Sequence, residues 1–328
     1  MRFNSASDEL RFRYYMSDTY TIQKAIQLYK LVTKQNLTYT TTLTAKFNSA
    51  SLTIGTDLTM NYYATVDGAY TDLKAQFTIA GGVIEVEGEY DTKTGRFVFS
   101  LALPPQCMAD NISAVLLSGE TEIARMDNYS VRDYAINNLN ETNDEKLKAL
   151  LYELLRYGAA AQQYTGYNTG DLATAGVSLP AAADVNATDA YKLTNHITVN
   201  NEQELSERYP AYITAVGVRF ENVNKIYVKF NATAENVSVR ISRGGVEVET
   251  IALTNAILYT NEIYATAFDD VFTFEVFVGE TKTQTLTYSV NSYVANRITN
   301  GSTDAMTDLA KALYLYGEAA KAYAPFAN

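Results

Sequence analysis

The sequence has little of what covalent and metal chemistry needs. Its 328 residues include one cysteine, one histidine and no tryptophan. With Cys107 alone, no intrachain disulfide can form. With His196 alone, histidine-based metal clusters are excluded, and a Ser-His-Asp triad would have to use that one residue. His196 lies in an alternating Thr/Val stretch, no Gly-x-Ser-x-Gly elbow occurs, and the residue reads as structural or surface. Phosphate-binding glycine loops and dinucleotide fingerprints are absent too, so no cofactor is expected. No apolar run approaches the roughly 18–20 residues of a membrane span. Basic side chains are outnumbered, 26 against 37 acidic, for a formal charge of −11. That balance argues against nucleic acid or an anionic membrane as partner. No basic-then-apolar leader follows Met1, and any export signal is expected to lie outside these residues.

What the sequence does contain is a duplication. Tyr129-Ser-Val-Arg-Asp-Tyr134 recurs as Tyr288-Ser-Val-Asn-Ser-Tyr293, and Leu154-Leu-Arg-Tyr-Gly-Ala-Ala-Ala161 as Leu313-Tyr-Leu-Tyr-Gly-Glu-Ala-Ala320. Both matches share one offset (288 − 129 and 316 − 157 both equal 159), so the segment between them aligns without a gap. Upstream, Gly119-Glu-Thr121 answers Gly279-Glu-Thr281, Asp110-Asn-Ile112 answers Asp269-Asp-Val271, and Gly81-Gly-Val83 answers Gly244-Gly-Val246. Leu58, Met60, Tyr62, Ala64 and Thr65 answer Ile226, Val228, Phe230, Ala232 and Thr233. The offset drifts from 168 (226 − 58) through 163 (244 − 81) to 159, and length changes of that size are expected in loops.

The first part of each copy has the period of strands. Leu58, Met60, Tyr62 and Ala64 alternate, as do Leu73, Ala75, Phe77 and Ile79, then Phe97, Phe99, Leu101 and Leu103. The second copy repeats this with Val237, Val239 and Ile241 and with Phe272, Phe274, Val276 and Val278. Gly81-Gly82 and Gly244-Gly245 suit tight hairpin turns, and Asp91-Thr-Lys-Thr-Gly95 is a further turn signal. The second part switches to helical period, with Leu147, Leu150, Leu151, Leu154, Tyr157, Gly158 and Ala161 on one stripe. Met306, Leu309, Leu313, Tyr316, Gly317 and Ala320 repeat that stripe. Asn143 or Asp144, and Ser302 or Thr303, are expected to cap these helices. A mid-helix glycine costs about 1 kcal/mol relative to alanine. Gly158 and Gly317 are therefore expected to serve close packing, beneath a tyrosine of the preceding short helix (129–139 or 288–298).

These patterns predict a mainly β chain with α: two tandem immunoglobulin-like antiparallel β-sandwich units, each followed by a helical hairpin. Residues 49–165 form the first repeat, with the sandwich at 49–128 and the hairpin at 129–165. Residues 211–328 form the second, with the sandwich at 211–287 and the hairpin at 288–325. Residues 166–210, rich in Ala, Thr, Asn, Gly and Asp, read as a linker or loose wrap, with one short strand at 196–199. In segment 1–48, Asp18 could cap a helix through Thr33, and Leu37 to Phe47 alternate as a strand. Phe3-Asn-Ser-Ala-Ser7 reappears at Phe47–Ser51, each followed by a Tyr-Tyr pair, which suggests a partial further repeat.

Candidate functional side chains are few. Cys107 follows Pro104-Pro105 and reads as a small buried residue. Asp269-Asp270 and its counterpart Asp110-Asn111 could hold calcium or supply two catalytic carboxylates, but their shared place before a strand fits turn chemistry better. The sequons at Asn128 and Asn231 follow from an Asn- and Thr-rich composition. Binding potential rests on 26 Tyr and 13 Phe, since tyrosine stacks on sugars and anchors interfaces. Tyr134 and Tyr293 read as packing residues, and Tyr62-Tyr63 is expected to leave one ring exposed.

The Met-Ala-Asp-Asn-Ile element at 108–112, the Gly-Glu-Thr turn, Tyr-Ser-Val-Arg-Asp-Tyr and Leu-x-x-Tyr-Gly-Ala-Ala-Ala-Gln at 154–162 resemble a tandem repeat of large secreted, surface-attached, adhesin-like proteins of gut Clostridia. The resemblance covers about residues 50–165 well and 211–325 more loosely, Arg132 and Asp133 becoming Asn291 and Ser292. It implies an extracellular, cell-surface setting and defines no active site. The expectation is a non-catalytic binding or adhesion module that engages a host protein, host immunoglobulin being a specific candidate, or another macromolecule. The alternatives are a carbohydrate-binding accessory module for starch or plant-wall glycan, which predicts a row of exposed tyrosines beside Asn or Asp, and a structural spacer. Catalytic residues and metal ligands are expected to be none, and the sequence singles out no binding residues.

Overall fold

Among the described residues, the stretches that alternate with period two form strands. A computed structural model describes residues 42–186, 198–201 and 210–323, apart from residues 56, 80, 81, 221, 222, 301 and 302. The expected helix at 18–33, the strand residues before 42, the Phe3–Ser7 match, Gly81, His196 and Ser302 lie outside the described residues. The chain is mainly β, with four antiparallel sheets and four helices among the described residues.

The first copy contributes β1 (Thr44–Ile54), β2 (Leu58–Asp67), β3 (Leu73–Ile79), β4 (Gly82–Glu87), β5 (Glu89–Asp91), β6 (Arg96–Leu103), β7 (Ile112–Ser118) and β8 (Thr121–Tyr129). Helices α1 (Val131–Glu141) and α2 (Glu145–Thr165) follow. After β9 (Thr198–Asn201), the second copy supplies β10 (Ala211–Phe220), β11 (Asn224–Ala232), β12 (Val237–Arg243), β13 (Val246–Ala252), β14 (Ile257–Tyr259), β15 (Phe272–Val278) and β16 (Thr281–Tyr288). Helices α3 (Val290–Asn300) and α4 (Asp304–Tyr323) complete it. Sheet order repeats with the sequence: β1-β2-β6-β5 corresponds to β10-β11-β14, and β4-β3-β7-β8 to β13-β12-β15-β16-β9. Gly244-Gly245, both at positive φ (57° and 83°), close the β12–β13 hairpin as expected. The Asp91 carboxylate accepts from Lys93 N and Thr94 Oγ1 and closes the β5–β6 turn.

The drift in offset has a structural cause, and its last step lies in a strand rather than a loop. Ile112 pairs with Tyr129 and Ala114 with Met126, so β8 bulges between them, with Asn128 at φ 57°. In β16 the matching stretch pairs Phe272, Thr273 and Phe274 with Tyr288, Thr287 and Leu286 without interruption. Ile112 is therefore the counterpart of Phe272, and Asp110 that of Asp270, one residue away from the equivalence read in the sequence.

Contacts divide the described chain into two compact units. One holds the residues up to Ser51, Met60–Leu101 and Asp110–Ser130. The other holds Leu52–Thr59, Ala102–Ala109 and everything from Val131 onward, so it contains both helix pairs and the second copy's strands. In the first unit Met60, Tyr62, Phe77, Phe99 and Leu116 are fully buried, each worth about 1.5–3 kcal/mol for a fully buried large apolar side chain. The Tyr62 ring, on β2, lies 4.9 Å from Phe77, on β3 of the other sheet, and Phe47 meets Tyr62 and Phe99 edge-on.

In the second unit, α2 and α4 pack against each other at corresponding residues. Tyr157 and Tyr316 stack with centroids 5.3 Å apart and planes 9° from parallel. Asp144 caps α2 by accepting from Lys146 N and Leu147 N, and Thr303 Oγ1 accepts from Met306 N at the start of α4. Gly158 and Gly317 do mark close packing, but no tyrosine of the short helix covers them. A Cβ on Gly158 would meet Met108 Sδ at 2.5 Å, and one on Gly317 would meet Phe268 Cδ2 at 2.6 Å. Met108 and Phe268 each end a 3-10 turn, Pro105–Cys107 and Ala265–Ala267. Their carbonyls accept from Arg132 N and Asn291 N, so each turn is tied to the short helix that follows.

The stretch after α2 folds back and is hydrogen-bonded to it. Gln162, fully buried, accepts from Ala173 N through Oε1 and donates through Nε2 to the carbonyls of Asn168 and Asp171. Arg132 donates to both Asp171 oxygens (2.5 and 3.0 Å) and to the Leu172 carbonyl, and Arg156 donates to the Pro180 carbonyl. Residues 166–180 thus form a strap held against α2, with Ala173 fully buried.

Candidate functional site

Strand β11 buries Ile226, Val228 and Phe230 on one face and so turns Lys225, Tyr227, Lys229 and Asn231 to the other. Tyr227 is paired across to Gly217 on β10 and to Tyr259 on β14. A Cβ on Gly217 would lie 2.7 Å from the Tyr227 hydroxyl, so the glycine leaves room for the ring to lie across the sheet. This face borders a cleft of about 490 Å³, whose other wall comes from α2, α3 and α4. Every described lining residue belongs to the second unit.

Among the described residues, five tyrosines line the cleft: Tyr157, Tyr164, Tyr227, Tyr259 and Tyr293. So do three cations, Arg219, Lys229 and Arg297. Each cation lies over a tyrosine. The Arg219 guanidinium is 5.4 Å from the Tyr259 ring and also donates to its hydroxyl (3.2 Å); Lys229 Nζ is 5.8 Å from Tyr227; Arg297 is 5.0 Å from Tyr293. No Asp or Glu is among the described lining residues. Burial raises the hydroxyls of Tyr157 and Tyr293 above the ordinary tyrosine range, the Arg297 charge partly opposing this at Tyr293. Both therefore stay neutral donors near pH 7. The cleft offers flat apolar faces, neutral hydroxyls and positive charge, and is suited to a ring-shaped polar ligand.

The residues singled out from the sequence lie mostly elsewhere. Cys107 is half-buried rather than buried. Asp269 pairs with Lys321 and Asp270 with Arg243, so each carboxylate of the acidic pair has a cation partner. Asp110 is buried. Tyr62 is fully buried, and Tyr63 is half-buried, its hydroxyl bonded to Ser51 Oγ (3.0 Å), so the pair exposes neither ring fully. Tyr134 is half-buried, and so is Tyr293, which lines the cleft in addition to packing. No group of three His, Cys, Asp or Glu side chains that could hold a metal occurs among the described residues.

Sequence reasoning missed Arg219, Tyr227, Lys229, Tyr259 and Arg297. A signal for three of them was present: at the offsets of the repeat, Tyr227, Lys229 and Arg297 stand where the first copy has Thr59, Asn61 and Asn138. Compared with models of known protein families and with curated proteins, the chain matches none.

Proposed function

We propose that this chain is a non-catalytic binding module of an extracellular, cell-surface protein, and that the tyrosine- and cation-lined cleft is its ligand site. The carrying observation is the set of three cation–tyrosine pairs around one cleft. The resemblance to adhesin-like repeats of gut Clostridia supports the surface setting. Glycoside hydrolysis needs two carboxylates at the bond, and the described lining supplies none, which supports a binding role. In this reading each pair of sheets is an immunoglobulin-like sandwich followed by a helical hairpin, and the contact between Tyr62 and Phe77 from different sheets favours that packing.

The ligand this geometry favours is a glycan carried on a host macromolecule. Tyr212 and Tyr259 are exposed on the β10–β11–β14 face, and Asn231 donates to the Tyr212 hydroxyl (3.0 Å), the tyrosine-beside-Asn pattern of a sugar platform. A host protein recognised through its polypeptide is the second reading, favoured by the breadth of that aromatic face. Immobilised chain exposed to serum and mucus proteins, before and after enzymatic deglycosylation, separates the two. Retention that disappears on deglycosylation supports the glycan reading. Retention that survives it supports the protein reading, and no retention in either sample overturns the binding-module proposal.

A further inference from the structure

Among the described residues, the charge lining the cleft runs against the charge of the chain. Acidic side chains outnumber basic ones 37 to 26, yet the described cleft lining carries three cations and no carboxylate. These cations come from separate elements: Arg219 from β10, Lys229 from β11 and Arg297 from α3. The first copy has Asn at the positions of Lys229 and Arg297, so the shared fold does not require the charge there. A neutral sugar would need tyrosine faces and hydroxyl or amide partners, and would gain little from three positive charges.

We infer that the cleft takes an anionic sugar, a pyranose ring bearing a carboxylate or a sulfate ester. This rests on the cleft being the ligand site. The sugar ring lies along the edges of Tyr227 and Tyr259, beside the cations that cover their faces, and the anionic group is held by Arg219, Lys229 and Arg297. Guanidinium–carboxylate and guanidinium–sulfate hydrogen bonds are charge-assisted and about twice as strong as neutral ones. The tyrosine beneath each cation limits the directions it can take, so less freedom is lost on binding.

The test is calorimetric titration of the whole chain at low salt with three oligosaccharide probes of matched length: neutral, hexuronate-containing and sulfated. The expected result is binding of at least one acidic probe, weakening as salt is raised. The double variant Arg219→Gln/Lys229→Gln, at exposed positions, is expected to lose about tenfold or more in affinity, with unchanged circular dichroism. The acidic arms identify which anionic group is preferred. Equal binding of the neutral probe, or acidic binding that neither salt nor the double variant weakens, overturns the inference and leaves the glycan reading standing. If all three probes fail, the inference is overturned, and deglycosylation-sensitive retention then shows whether the glycan reading itself survives.

Discussion

At Tyr62 the protein keeps a hydroxyl inside its first core with no hydrogen-bond partner among the described residues. An unsatisfied buried hydroxyl costs about 1–3 kcal/mol, and the corresponding residue in the second copy is Phe230. Tyr62→Phe is therefore expected to leave stability unchanged or raise it by about 1 kcal/mol in urea unfolding, and a loss above that size would mean the hydroxyl is bonded. The two helix glycines give a graded comparison. At Gly317 the added methyl meets the rigid Phe268 ring, whereas at Gly158 the nearest atom is the flexible end of Met108. Overpacking typically costs about 1–3 kcal/mol, offset by about 1 kcal/mol of helix propensity. Gly317→Ala should lower the urea midpoint clearly and Gly158→Ala less; the reverse order would contradict the packing described.

Among the elements, the strap after α2 stands out for depending on polar anchors rather than on apolar periodicity. The Arg132 guanidinium beside Asp171 holds its carboxyl below the ordinary range. A depressed carboxyl contributes stability above its unfolded value, near pH 3.9, and loses it as pH falls through the folded value. Limited proteolysis by an acid-active protease should therefore leave residues 166–180 protected at pH 5 and open them progressively only as pH falls from about 3.9 toward the lower folded value. Arg132→Ala should open them at every pH, and cleavage indifferent to both would rule out this anchoring. Helices and inward strand faces were legible in the sequence because period and burial are local: the stripe from Leu150 to Ala161 and the alternation from Leu58 to Ala64 needed no partner to be recognised. The occupants of the glycine notches were not legible, since Met108 and Phe268 come from turns about 50 residues away in sequence. Neither was the strap, because Gln162 and Arg132 carry no pattern that says where they reach. The bulge at Asn128 showed in the sequence only as a one-residue change of offset.

For the whole molecule, duplication and function separate. What the copies share is packing: the helix stripes, the glycine notches and the Tyr157–Tyr316 stack. What the second copy alone carries at matched positions is Tyr227, Lys229 and Arg297, and these line the cleft. The first copy's β2 has Thr59 and Asn61 there, and Asn61 instead accepts a hydrogen bond from Ser100. One measurement tests this division most directly: retention of serum and mucus glycoproteins by the intact chain beside two double variants, Tyr227→Ala/Tyr259→Ala in the cleft and Thr59→Ala/Asn61→Ala in the first copy. With folding checked by circular dichroism, the first pair should lose retention at least about tenfold, as removal of stacking aromatics does, and the second should keep it. Retention unchanged by the first pair, or lost equally with the second, would contradict the assignment of the cleft.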